Sequence, residues 1–291
     1  MATQRQLLDG YNSLSSKLVR GAGDRASAIF TSLGSWRDSD YADFVDVLDP
    51  IMTGAKIQAA RLQVAFYSEM AKISGQSFES FSVTAKTLTT SALRNGADTA
   101  EVYRRPFLSL YGALSNGSGL TQAISEGARR VSSIASTDMQ LSRRAAGSQA
   151  RERNGGITYY LRTLTGNENC AMCTIASTQR YRRGELMPIH PGCDCGEMPV
   201  FADQDPGQVI DQLRLDSTYD SIEQQLRISP DFSARDAGLS KIINTPDGSQ
   251  RLADYTEILV TRNHGEYGPT LSWRDQNFRG PGDLDFSSQA D

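Results

Sequence analysis

All four cysteines of this chain, and one of its two histidines, fall between Cys170 and Cys195. The stretch reads CAMCTIASTQRYRRGELMPIHPGCDC, a CxxC pair followed downstream by HPxCxC. It gathers five soft or borderline donors: Cys170, Cys173, His190, Cys193 and Cys195. Thiolate and imidazole groups in a tetrahedral set suit zinc, and a closed set of four with no free position is a structural site. Cys193 and Cys195 are two apart, so on a regular strand they point to opposite faces. Both can bind only if the backbone turns at Asp194. The preferred set is Cys170, Cys173, His190 and Cys193, with Cys195 replacing His190 as the alternative. Pro188 and Pro191 stiffen the backbone around His190, and Gly192 permits a tight turn. Four cysteines are too few for a disulfide scaffold in a 291-residue chain, and their clustering favours a metal over bridges or buried free thiols.

The second histidine, His264, stands two residues before Glu266 in an HGE turn. A serine or cysteine protease needs a nucleophile, a base within hydrogen-bond reach and a group that orients the base. His264 and Glu266 have the residue types for the last two roles. Side chains at i and i+2 of a tight turn usually point apart, however. No G-x-S-x-G elbow and no H-E-x-x-H pair occurs. The plainer expectation is a turn histidine bonded to backbone, with His264 and Glu266 as catalytic groups the alternative.

Charge adds a third candidate. From Gly127 to Arg183 there are ten arginines, three acids and no lysine, a local +7 in a chain of formal charge −4. Leu120, Ile124, Val131, Ile134 and Leu141 predict one long helix whose other face carries Arg129, Arg130, Arg143 and Arg144. That face can meet DNA or an acidic protein surface, or it can simply be solvated.

The elements that must position these groups divide at Gly155-Gly156. Residues 1–154 read as a helical N-terminal arm. Phe44, Val47, Leu48 and Ile51 start a helical stripe that continues through Ala55, Ala59, Leu62, Phe66, Met70 and Ile73. Pro50 predicts a break or kink near Asp49, and Gly75 the end of the segment. The small residues Gly54, Ala55, Ala59 and Ala60 predict close approach of a neighbouring helix. Asn95-Gly96 marks a turn, Asp98 and Thr99 can cap the next helix, and Pro106 is expected near its start. Residues 155–280 read as a mixed module. Its expected strands are Ile157 to Leu164, Gln179 to Arg183 and Asp194 to Phe201, with a helical turn opening at the CxxC. A helix is expected from Gln208 to Leu226 and a short one at Leu239, Ile242 and Ile243. Glu257 to Arg262 and Thr270 to Arg274 should pair as a hairpin, and residues 281–291 form a tail. The fold class is therefore α+β: a long helical N-terminal region followed by a small mixed α/β module with a Cys/His cluster. The first residues lack an apolar signal core, and no segment approaches a membrane span. A reducing host cytoplasm is the expected site of synthesis.

The runs YYLRTLTGNENCAMC, QRYRRGELMPIHPGCDC and HGEYGPTLSWRDQNFRGP resemble the MuF-like minor head protein family of tailed bacteriophages, as it occurs in phages of actinobacteria. The motif-bearing likeness covers about the second half of the chain. It implies a virion component of head morphogenesis, placed at the capsid interior near the portal vertex, with the portal protein, the major capsid protein and packaged double-stranded DNA as possible partners. Some relatives are labelled capsid maturation protease, so the resemblance also implies processing of head proteins as an alternative. A DNA-binding internal virion protein is the third.

Overall fold

Among the described residues, the N-terminal half forms α1 (Gln4–Thr31), α2 (Tyr41–Ile73), the one-turn helix α3 (Thr90–Leu93), α4 (Thr99–Ser115) and α5 (Leu120–Arg153). The computed structural model describes residues 3–164, 171–190, 195–202, 242–244, 248–252 and 259–273. The chain divides into two compact units, Met1–Asn154 and Gly155–Asp291. Mixed helix and strand, with the long helices first and small antiparallel sheets after, is the architecture. No helix among the described residues is long and apolar enough to cross a membrane.

In the helical unit α1, α2 and α4 all pack on α5. Helix α1 begins at a capping box, in which Thr3 Oγ1 accepts from Gln6 N and Gln6 Oε1 accepts from Thr3 N. Its buried positions Tyr11, Ser15, Val19, Ala22, Ala26 and Phe30 repeat at helical spacing. Phe30 meets Phe44 of α2 and Phe107 of α4 edge-on, at centroid distances of 5.6 and 5.3 Å. Each such ring contributes about 1.5–3 kcal/mol by burial, and the edge-on geometry adds to it. Asp98 caps α4 by accepting from Glu101 N at 3.1 Å, and Gly75 closes α2 at φ +69°.

Three local expectations need correction. Pro50 does not break its helix, since α2 runs unbroken from Tyr41 to Ile73. Pro50 and Asp46 are both exposed. The Asp46 carbonyl, which a prolyl nitrogen cannot serve, can therefore turn to water. Pro106 is not near the start of α4 but is its eighth residue, and it is buried. Its carbonyl lies only 2.9 Å from where a Cβ on Gly127 would stand, so tight packing on α5 accompanies it. Gly54 is exposed, and a Cβ added there would meet nothing within 4 Å, whereas Ala59 and Ala60 are buried as expected.

The second unit is built on β1 (Ile157–Thr163), the central strand of an antiparallel sheet ordered β2 (Arg180–Arg182), β1, β3 (Gly196–Phe201). Helix α6 (Ala171–Ala176) precedes β2. Tyr160 and Tyr181 are cross-strand partners and stack at 5.3 Å. Strands β4 (Ile242–Asn244) and β5 (Gln250–Leu252) form a hairpin. The short helix expected at Leu239, Ile242 and Ile243 is therefore replaced, at the two isoleucines, by a strand. β-Branched residues favour that outcome, and Gly248, ahead of β5, has φ +83°. Leu239 and the expected helix from Gln208 to Leu226 lie outside the described residues, as does the 281–291 tail. Strands β6 (Leu259–His264) and β7 (Gly268–Trp273) pair in register from Leu259–Trp273 to His264–Gly268.

Candidate functional site

The inner face of the three-stranded sheet positions the cysteine segment. Tyr160 and Arg162 alternate onto the same side of β1, where Tyr181 joins them from β2. The Tyr181 hydroxyl donates to the Ala176 carbonyl at 3.0 Å, and an Arg162 nitrogen lies 3.7 Å from Cys173 Sγ, so α6 lies over this face. The helix turns Met172, Cys173 and Ile175 inward, all buried.

The HP segment is held from two directions. Arg162 Nη2 donates to the Pro188 carbonyl. On the other side Ile189 N donates to Pro269 O at 3.1 Å, and Leu271 N donates to Ile189 O at 2.7 Å, which fastens the segment to β7. The next residue is His190. Its Nε2 lies 3.0 Å from Cys173 Sγ, with the two residues only 1% and 2% exposed. Cys195, the residue before β3, is buried and packs with Cys173 and Leu164. Of the five expected donors, the fold brings Cys173 and His190 into contact and sets Cys195 beside Cys173. Cys170 and Cys193 lie outside the described residues. Among the described residues no set of three His, Cys, Asp or Glu side chains is arranged to hold a metal ion.

Two chemistries suit a thiol and an imidazole at this distance. One is a hydrogen-bonded thiol–imidazole pair of the kind that activates a nucleophile. The other is shared ligation of an ion. Across a tetrahedral zinc, bond lengths of about 2.3 Å to sulfur and 2.1 Å to nitrogen place the two donors roughly 3.6 Å apart, so admitting zinc asks for a shift of about half an ångström. The donors fit the metal in type, burial and facing direction. Burial of the sulfur keeps it from a substrate, which favours ligation over attack. The electrostatics of this pocket are felt at Tyr181, whose phenol burial pushes up, with the Cys173 and Cys195 charges adding to the rise and Arg162 opposing it.

His264 is placed differently. Its Nδ1 accepts from the backbone nitrogens of Glu266 and Tyr267, at 3.1 and 3.3 Å, and its ring stacks on Tyr267 at 4.8 Å. A catalytic triad needs the opposite polarity, with Nδ1–H donating to a carboxylate. Glu266 thus meets His264 through its amide, the arrangement of a turn histidine bonded to backbone.

The arginines of α5 do not form one solvated face. Arg143 and Arg144, expected to be exposed, are buried, and Arg143 donates to Ser15 of α1. The reason is crowding: α5 is packed by three helices, and from Asp138 to Arg144 every residue is buried. Arg129 is exposed and paired with Glu126, and Arg130 is half-buried. Arg162 was not among the residues expected from the sequence. Its only signal there was an arginine at an inward position of a strand otherwise filled by Ile157 and Tyr160.

No protein-family model, no curated protein and no solved structure matches this chain.

Proposed function

We propose that this chain is a structural component of a tailed-phage head, of the MuF-like minor head type, whose C-terminal unit is stapled by zinc. Cys173 and His190 are two of the ligands, and Cys170 and Cys193 complete the tetrahedral set of four. The observation that carries the zinc staple is the 3.0 Å approach of Cys173 Sγ to His190 Nε2 in a buried pocket, between a helix and a segment fastened to a hairpin. Such a site ties α6, the HP segment and β3 together where short strands bury little area of their own. Metal-binding free energy then becomes folding free energy. The head assignment rests on the sequence resemblance. In it the helical unit docks on the portal protein or the major capsid protein inside the head. Leu14, Val47, Leu108 and Leu120, each more than half exposed, offer apolar area for that contact.

Two measurements test the reading. Protein purified without chelator should carry close to one zinc per chain by elemental analysis; less than about a tenth of an equivalent overturns the staple. Phage particles assembled without the gene should show defective heads or lost infectivity, and normal heads of full infectivity overturn the morphogenesis role. Burial of Arg143 and Arg144 leaves Arg129 and Arg130 as the helical contacts that a DNA-binding alternative would use.

A further inference from the structure

We infer that Arg162 is the positioning residue of the Cys173–His190 metal site, holding one ligand by its sulfur and the segment that carries the other by the Pro188 carbonyl. The inference rests on the zinc reading above and assigns a role to a residue outside the cysteine–histidine motif. Arg162 sits on the central strand β1 and is 1% exposed. One guanidinium nitrogen is 3.7 Å from Cys173 Sγ, within range of an N–H···S hydrogen bond, and another donates to the carbonyl of Pro188. Two pieces of chain that the motif must bring together, α6 and the HP segment, therefore converge on one side chain. Glu197, its cross-strand partner on β3, is buried as well.

A planar fork of fixed donors suits this task, because it satisfies a sulfur and a carbonyl at once without conformational adjustment. The point charge of a lysine can serve one of them. A metal-bound thiolate remains a hydrogen-bond acceptor, and donors to it tune the bond to the metal; loss of such outer partners costs about 10–100-fold in metal affinity. By gripping the Pro188 carbonyl two residues before His190, Arg162 also fixes the direction from which the imidazole approaches.

The experiment uses full-length protein, wild type and the variants Arg162→Lys and Arg162→Met, loaded with Zn(II) or Co(II). Competition with a chromophoric chelator reads affinity, and the sulfur-to-cobalt charge-transfer band reads the hydrogen bond at sulfur. Expected is a loss of about 10–100-fold in affinity for both variants, with the band moved to lower energy as sulfur loses its donor. Folded variants that bind as tightly as wild type with the band unmoved overturn the inference while leaving the zinc reading intact. A wild type that binds no metal overturns the zinc reading itself. Should neither variant fold, cadmium-113-loaded wild type decides: a scalar coupling between the metal and an Arg162 guanidinium proton supports the N–H···S bond, and its absence overturns it.

Discussion

The Arg94 guanidinium lies 2.7 Å from the Asp138 carboxylate, with both side chains fully withdrawn from water. Arg94 follows the one-turn helix α3 and Asp138 sits midway along α5, so the pair pins the long α2–α4 connection to the bundle's central helix. Arg94 also donates to the Ile134 carbonyl at 3.3 Å, and Tyr103 of α4 donates to Asp138 at 3.1 Å. Lys56 of α2 reaches Thr90 at 3.0 Å, and Thr90 reaches Tyr103 at 3.4 Å. A polar chain thus links α2, α3, α4 and α5 inside an otherwise apolar core.

Asp138→Ala leaves Arg94 and Lys56 in the core without their nearest anion. Breaking a buried pair from one side costs about 3–5 kcal/mol, whereas replacing both partners with apolar groups of similar size is often near neutral. Urea titration should therefore show a large loss for Asp138→Ala and recovery of most of it in Arg94→Met/Asp138→Leu. A double variant as unstable as the single one would refute the account.

Lys56 makes the same core pH-dependent. Burial holds its ammonium below the ordinary 10.5, with Asp138 and Asp49 pulling it partly back. Between the folded value and 10.5 the unfolded chain binds more protons at this site, so its contribution to stability rises with pH across that window and is flat on either side. Tyr103, whose proton burial retains well above its usual range, is present in both proteins and largely cancels in a comparison. The stability of wild type relative to Lys56→Met should climb as pH approaches 10.5 from below. Urea unfolding at a series of pH values checks this, and a flat or falling difference contradicts it.

What could be read from the residues follows a physical line. Period and turn chemistry are local, so the strands at Ile157 and Leu259, the cap at Asp98 and the turn at Asn95-Gly96 were legible. Burial of charge is not local. Arg94, Asp138 and Lys56 are scattered over 82 residues, and nothing in their spacing marks them as neighbours. Arg143 and Arg144 misled for the same reason, since their solvation depends on how many helices surround α5. Within the candidate site, CxxC and HPxCxC pointed to Cys173 and His190, which lie 3.0 Å apart, although among the described residues no set of three such side chains is gathered. The fastening of the HP segment by Arg162 and β7 requires knowing that residue 162 meets 188 and residue 189 meets 270, which only the fold supplies.

Two glycines give opposite expectations from one substitution. A Cβ on Gly127 would stand 2.4 Å from the Phe30 ring and 2.9 Å from the Pro106 carbonyl, so α5 must move for it. Gly127→Ala should destabilise by about 1–3 kcal/mol through overpacking, even though alanine is the better helix former. Gly54→Ala meets nothing within 4 Å on the exposed side of α2 and should stabilise by roughly 0.5–1 kcal/mol. Thermal unfolding of both variants tests the pair, and equal effects would show that the close contact is absent.

His264 connects the hairpin turn to the candidate site. Its Nδ1 accepts from two amides of the turn, and the hairpin's second strand bonds Ile189, the residue before His190. His264→Ala should free both amides, at about 0.5–1.5 kcal/mol each, and raise hydrogen exchange at Glu266 and Tyr267 by roughly tenfold. Loosening of β7 should also raise exchange at Ile189 and weaken retention of the proposed zinc. His264→Asn, whose side-chain oxygen can take the place of Nδ1, should restore most of the protection. A histidine kept for catalysis predicts the reverse pattern: the alanine variant would keep its amides protected, losing only cleavage of a head-protein substrate.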